Sequence, residues 1–116
     1  MSLQETIAAK TKTPPPTVDE LRRLLGPFCK KHSVARLEVF GSVAEGTAKA
    51  GSDVDLIVTF KAGAQVSLFD FVALKLEFEG LLGCPVDLLE RPLVESMKNP
   101  FKRRSILSCV KPIYAS

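Results

Sequence analysis

Two aspartates one residue apart, Asp53 and Asp55, are the residues whose type and spacing point most directly to chemistry. They lead into the apolar run Leu56-Ile57-Val58, which is typical of a buried strand. Because side chains alternate along a strand, both carboxylates are expected on the same face, at a separation that suits a shared cation. A third carboxylate, Asp87, interrupts another apolar run at residues 86–89, and a charged side chain in such a strand needs a reason to be there.

Three carboxylates gathered at one end of a sheet would repel one another unless a cation neutralised them. If the two strands are neighbours, all three side chains can converge in this way. Oxygen ligands with open coordination positions suit Mg²⁺, which completes its shell with water and substrate phosphates. Two such ions, about 4 Å apart, can clamp the attacking and leaving oxygens of a phosphoryl displacement. We therefore predict that Asp53, Asp55 and Asp87 bind magnesium.

The dipeptide Gly41-Ser42 ends an apolar run and opens a predicted short helix over residues 41–48. Glycine lets the backbone approach a phosphate, a helix start presents free N–H groups, and Ser42 adds a hydroxyl donor. A triphosphate could be held between this turn and metal ions on Asp53 and Asp55. Plainer interpretations stay open: a common Gly-Ser turn, a helix cap by Ser42, turn chemistry at Ser52-Asp53, and an Asp55 exposed at a sheet edge.

The elements that would position these residues alternate between helix and strand. Thr17 and Glu20 match a capping box before a helix with apolar residues at 21, 24, 25 and 28. Ser67 is a predicted cap, and Gly83 a predicted stop, for a second helix. Its predicted buried stripe is Phe71, Leu74, Phe78, Leu81 and Leu82. Strands are predicted at residues 36–40, 53–60 and 86–89, a basic helix at 101–108, and an edge strand at 110–114. This order predicts an α/β fold, with a small mixed sheet of three to four strands flanked by helices.

The bulk composition fits one small domain. The chain has 116 residues, 46% of them hydrophobic, and a net charge of +3. We predict a flexible arm over residues 1–16, which ends in three prolines, and a domain over residues 17–116. No run approaches the roughly 20 apolar residues of a membrane span, and the three cysteines form no CxxC pair. A cytoplasmic protein with unpaired core thiols is therefore expected.

The motif residues together resemble a known family. Gly41-Ser42, Gly46 and the run from Ser52 to Leu56 resemble the GS…G…SDxDL motif of the DNA polymerase β-like nucleotidyltransferase superfamily. The short single-domain length is similar to that of the minimal nucleotidyltransferases (MNT), the antitoxin partners of HEPN-domain toxins. Val86-Asp87-Leu88 matches the strand that carries the third carboxylate. The resemblance covers roughly residues 17–114 and implies the palm-like fold of the superfamily.

The resemblance also implies a role for each matched residue. Gly41 and Ser42 would contact the phosphates of the nucleotide, and Asp53 and Asp55 would hold two magnesium ions. Asp87 would ligate the catalytic metal and help to activate the acceptor hydroxyl. Such enzymes transfer a nucleotidyl group, usually AMP from ATP, to a hydroxyl with release of pyrophosphate. In the toxin–antitoxin branch the acceptor resembles a tyrosine of the HEPN toxin, and the modification silences a ribonuclease.

One departure from the family pattern opens an alternative. Many relatives have an arginine directly before the second glycine of the motif, where this chain has Glu45. The exchange places a negative charge near the expected triphosphate, and Lys49 would be the residue to compensate. A catalytically weak or inactive antitoxin of the MNT fold, which neutralises its partner by binding, is therefore the second hypothesis.

The size of the chain bears on the remaining alternatives. A small-molecule (antibiotic-type) nucleotidyltransferase is a third hypothesis, although such enzymes normally use an additional helical domain to bind the acceptor. The cluster Lys102-Arg103-Arg104 is explained as well by a solvated helix face as by contact with nucleic acid, so direct binding of nucleic acid is not predicted. An open site on so small a domain suggests that a partner protein or a second copy of the chain, as a homodimer, completes it.

Overall fold

A computed structural model of the protein describes residues 14–116. The first thirteen residues lie outside the described part, and with them most of the predicted arm. The helices and strands of the described part are, in chain order, α1 (Val18–Lys31), β1 (Val34–Phe40), α2 (Gly41–Glu45), β2 (Val54–Phe60), α3 (Leu68–Leu82), β3 (Val86–Glu90), α4 (Arg91–Glu95), α5 (Pro100–Leu107) and β4 (Lys111–Ala115).

The four strands form one sheet in the order β3-β2-β1-β4. β2 and β3 run parallel, and β1 runs antiparallel to both of its neighbours. Parallel strands need a crossover connection, which α3 supplies between β2 and β3. The mixed sheet flanked by helices confirms the predicted α/β fold. Its order makes β2 an interior strand, and it makes β3 a direct neighbour of β2.

Helix α1 begins where the capping box predicts. The N–H of Glu20 donates to the Thr17 hydroxyl at 3.1 Å, and the N–H of Thr17 donates to the Glu20 carboxylate at 3.2 Å. These two bonds satisfy donors that the first turn leaves without helical partners. Leu21 and Leu25 of the predicted apolar face are fully buried. His32 caps the other end and stacks on Phe28, with ring centroids 4.2 Å apart.

The core lies between α1, α3 and one face of the sheet. Val54, Leu56 and Val58, which share that face of β2, are fully buried in it. The opposite face is covered in part by α4, which packs against β2 and β3. Ile57, on that opposite face, and Val94 of α4 are both fully buried. The two faces of β2 are therefore buried in different surroundings. The predicted site lies at the start of β2, on the face that carries Ile57.

Helix α3 differs from its predicted burial at one position. Leu74 and Phe78 are buried and Phe71 and Leu82 are partly buried, as predicted, but Leu81 is 43% exposed. The prediction for Leu81 was wrong because α3 is apolar on two opposite sides, so that periodicity alone could not define the buried face. On the solvent side, Phe69 is 81% exposed.

Of the three cysteines predicted as core thiols, only Cys29 is buried; Cys84 and Cys109 are half-buried. Burial raises the pKa of the Cys29 thiol to about 12, so that this thiol is a neutral core side chain at neutral pH. Among residues 14–116, none of the helices has the length and apolar character needed to span a membrane.

Candidate active site

The turn from β1 into α2 brings the backbone against an aspartate. Gly41 follows the last residue of β1 and has a φ of +72°, a conformation that side chains other than glycine rarely adopt. A Cβ at this position would overlap the Oδ2 atom of Asp55. Glycine is thus required at position 41 for two reasons: the positive φ, and the close contact with the Asp55 carboxylate. The Gly-Ser dipeptide is therefore more than an ordinary surface turn.

Asp55 lies between two neighbouring strands. It pairs with Phe40 of β1 on one side and with Asp87 of β3 on the other. Because residues directly opposite each other point to the same face, the side chains of Asp55 and Asp87 share one side of the sheet. Asp55 is half-buried and sits on the interior strand. The alternative that places it exposed at a sheet edge is therefore wrong.

The pKa of Asp55 reflects its burial and the neighbouring carboxylates. Burial raises the pKa of its carboxyl above the ordinary value, and the negative charges of Asp87 and then Asp53 raise it further. Each effect disfavours the ionised form. The three carboxylates are thus close enough to repel one another, and a bound cation would relieve that repulsion.

Asp53 and Asp87 are both exposed, and Asp53 lies just outside β2 rather than within it. The prediction that the strand starts at Asp53 was wrong because the preceding residues close a turn. The N–H of Lys49 donates to the Ser52 hydroxyl at 3.0 Å, and the N–H of Ser52 donates to the Lys49 carbonyl at 2.9 Å. The alternative that assigned turn chemistry to Ser52 is thus correct for that residue.

The carboxylates approach one another but do not form a closed ligand cage. Across residues 14–116, no group of three His, Cys, Asp or Glu side chains is gathered closely enough to hold a metal ion as it stands. The chemistry of the donor set nevertheless fits Mg²⁺, which uses few protein oxygens and keeps waters. Asp53, Asp55 and Asp87 are the residues that would hold it.

Helix α2 carries the other two motif residues. Ser42 is half-buried, and α2 has no side-chain capping bond, so the alternative role of Ser42 as a helix cap is wrong. The Ser42 carbonyl instead accepts the N–H of Thr47 at 2.9 Å, and the helix ends at Gly46. Glu45, the last residue of α2, is exposed. A negative charge therefore stands one helical turn from the Gly-Ser dipeptide.

An ion pair on the site's face of the sheet was not predicted from the sequence. Arg91, at the start of α4, donates to the Glu38 carboxylate of β1 at 2.9 Å, and their side chains are 26% and 12% exposed. Arg91 also contacts Glu95 at 3.3 Å. Glu38 pairs with Ile57 and so lies on the same face as Asp55. The interruption of an apolar strand by Glu38 was the available signal, and it is the same signal that singled out Asp87.

Comparison of the sequence and the fold with known proteins identifies the family of the chain. The nucleotidyltransferase domain family matches residues 21–113. The chain belongs to that family. The match spans both strands that carry the predicted aspartates and the Gly-Ser turn between β1 and α2. The predicted enzyme class is confirmed.

Curated relatives of the chain include archaeal proteins. It is 43% identical over 72 residues to a Methanocaldococcus jannaschii protein assigned as a protein adenylyltransferase, which covers 62% of this chain and 75% of the relative. It is 36% identical over 84 residues to the protein adenylyltransferase MntA of Thermococcus cleftensis, which covers 69% of this chain and 83% of the relative. These similarities confirm the predicted resemblance to the minimal nucleotidyltransferases.

Solved structures share the fold. One described as a minimal nucleotidyltransferase has a TM-score of 0.62 and 36% identity, covering 84% of this chain and 96% of its own. Another is a complex of an AMPylated Shewanella oneidensis HEPN toxin with its MNT antitoxin, with a TM-score of 0.59 and 13% identity, covering 86% of this chain and 74% of its own. At that identity the second likeness shows the fold alone.

Proposed function

We propose that this nucleotidyltransferase transfers AMP from ATP, with Mg²⁺, to a hydroxyl of a protein partner, and that the partner is a HEPN-domain toxin. The observation that carries the proposal is the convergence of Gly41, Asp55 and Asp87 at one end of the sheet. Support for a protein acceptor comes from the adenylyltransferase MntA and from the Shewanella oneidensis toxin, which is AMPylated and bound to its antitoxin. The chain would then be the antitoxin of such a pair.

The transfer is an in-line displacement at the α-phosphorus of ATP. The acceptor oxygen forms the new bond, the bond to the β-phosphate breaks, and pyrophosphate leaves. Magnesium held by Asp53, Asp55 and Asp87 would supply the charge that stabilises the attacking and leaving oxygens. Asp87 would accept the proton of the acceptor hydroxyl. Its exposed side chain suits that role, because the acceptor has to reach it from outside.

The Gly-Ser turn would orient the nucleotide. Gly41 has no side chain, so the phosphates can approach the backbone beside Asp55. The half-buried Ser42 does not cap α2, which leaves its hydroxyl able to donate to a phosphate oxygen. Holding the phosphates at fixed donors contributes to catalysis mainly through positioning.

The test is AMP transfer from radiolabelled ATP to a HEPN-domain protein encoded beside this chain. The parent protein should label the partner and release pyrophosphate in the presence of Mg²⁺. Asp53→Ala and Asp87→Ala should abolish labelling, while Asp19→Ala, a matched change at a 92% exposed carboxylate of α1, should not. Labelling by both site variants at the parental rate would refute the metal assignment.

A second candidate is an antitoxin that acts by binding alone, and the exposed Glu45 favours it. A negative charge on α2 weakens binding of an anionic nucleotide beside it. The Asp53→Ala, Asp55→Ala double variant separates the two functions. If this variant still binds and silences the toxin as well as the parent does, binding is sufficient. If it binds without silencing, transfer is the function.

A further inference from the structure

Two hydrogen bonds, one on each side, hold the connection between α3 and β3 next to the candidate site. On the inner side, the N–H of Val54 donates to the carbonyl of Pro85 at 3.0 Å. On the outer side, the N–H of Val86 donates to the Oε2 atom of Glu79 at 2.9 Å. Val54 stands between the first two aspartates of the site, and Val86 directly precedes the third. These two hydrogen bonds therefore fix the start of β3 next to all three carboxylates.

Glu79 holds this connection with its main chain and its side chain together. Its backbone carbonyl accepts the N–H of Gly83 at 2.8 Å, which ends α3. Its side chain is 26% exposed and also contacts the ammonium of Lys75 at 3.3 Å. In the part of the chain that the structure describes, β3 is an edge strand, and no strand on its outer side accepts the N–H of Val86. The Glu79 carboxylate accepts it instead, in a charge-assisted hydrogen bond.

We propose that Glu79 is a positioning residue for Asp87, and the proposal rests on the proposed function of Asp87 as a metal ligand. Asp55 and Asp87 lie directly opposite each other in the ladder between β2 and β3. A shift at the start of β3 therefore moves one carboxylate relative to the other. Groups that orient metal ligands typically account for about 10- to 100-fold in metal affinity. The hydrogen bond from Val86 to Glu79 acts in this way on Asp87.

The test compares two substitutions of nearly equal size. Glu79→Gln keeps an oxygen that can accept the N–H of Val86, whereas Glu79→Met keeps the length and helix propensity but has no such acceptor. Glu77→Met, at an exposed carboxylate of the same helix, is the matched control. Binding of Mn²⁺ with a non-hydrolysable ATP analogue is measured by calorimetry, and exchange of the Val86 amide hydrogen is followed by NMR.

In Glu79→Met we expect fast exchange at Val86 and a Mn²⁺ affinity about tenfold or more below that of the parent. In Glu79→Gln we expect protection at Val86 and an affinity within about fivefold of the parent, because the neutral hydrogen bond is weaker but present. Glu77→Met should match the parent in both measurements. Glu79→Asp, whose carboxylate is one methylene too short, should behave like Glu79→Met and replaces it if that variant does not fold.

Two results would overturn the proposal. One is parental Mn²⁺ affinity in a Glu79→Met protein whose Val86 amide exchanges freely. The other is a Glu79→Gln protein that keeps the Val86 amide protected and still loses as much affinity as Glu79→Met. Asp87→Ala separates this failure from that of the proposed function. If Asp87→Ala loses affinity and Glu79→Met does not, only the positioning role is wrong; if Asp87→Ala also keeps parental affinity, the metal assignment itself is wrong.

Discussion

Substitution of Gly41 by alanine should damage the site far more than the fold. The added Cβ would overlap the Oδ2 atom of Asp55, which is the far end of a side chain that can rotate. We therefore expect the carboxylate to turn away rather than the backbone to move. Gly63 provides a matched control, because its φ is +81°, close to the +72° of Gly41, but a Cβ there meets nothing within 4 Å.

The expected magnitudes follow from these two environments. A left-handed conformation costs an L-residue about 1–2 kcal/mol, so both alanine variants should lose about that much stability. Turning Asp55 off its rotamer adds about 0.5–1.5 kcal/mol to Gly41→Ala alone. Nucleotidyl transfer should fall by about 100-fold in Gly41→Ala, as is typical when a reacting group is misplaced by about 1 Å. Transfer by Gly63→Ala should equal that of the parent.

Urea denaturation and initial rates of pyrophosphate release measure the two effects separately. Both variants must be assayed well below their unfolding midpoints, so that the rate reports on the site. AMP transfer by Gly41→Ala at the parental rate would refute this prediction, because Asp55 would then tolerate the overlap. The prediction is also refuted if Gly63→Ala loses as much activity as Gly41→Ala, since the loss would then come from backbone strain alone.

Three further changes test the surroundings of the site. Without divalent cations, Asp55→Asn should melt at a higher temperature than the parent near neutral pH, because the raised pKa of Asp55 makes its ionised form unfavourable in the fold. Thermal melts should show this gap narrowing as the pH falls through the raised pKa of Asp55, and no gap below about 3.9, where aspartate is protonated in both the folded and the unfolded state. Glu45→Arg should tighten ATP binding by about three- to tenfold at low salt, and calorimetry should show a smaller gain at high salt. Arg91→Met leaves the Glu38 carboxylate half-buried without its partner and should cost about 1–3 kcal/mol in urea denaturation. Adding Glu38→Gln should recover part of that loss, and a double variant no more stable than Arg91→Met would contradict the ion-pair argument.

Local signals in the sequence predicted most of the helices and strands. The capping box at Thr17, the cap at Ser67 and the stop at Gly83 each depend on a few neighbouring residues, and the structure has all three. The start of β2 was misplaced by one residue because two features set it together: the turn that ends at Ser52, and the first ladder bond, from Val54 to the distant residue Pro85. Strand limits depend on such partners, which periodicity does not reveal.

The candidate site was predictable to a similar degree. The types and spacing of Asp53, Asp55 and Asp87 were sufficient to select the carboxylates, and the structure places two of them opposite each other. The ion pair of Arg91 with Glu38 joins residues 53 positions apart, so the charge that interrupts β1 marks Glu38 as unusual but does not identify its partner. The roles of the site residues in binding metal and nucleotide stay predictions.

The crossover from β2 to β3 limits where this chain can accept changes in length. Side chains alternate along β3, so an insertion or deletion in the short connection after α3 that shifts β3 by one residue along β2 would turn Asp87 to the other face of the sheet. The loop before α3, which contains the exposed Gly63, lies at the far end of β2 from Asp55 and bears no such constraint. Length variation among relatives should therefore concentrate in that loop, and a library of random insertions should keep activity there while losing it between Gly83 and Val86.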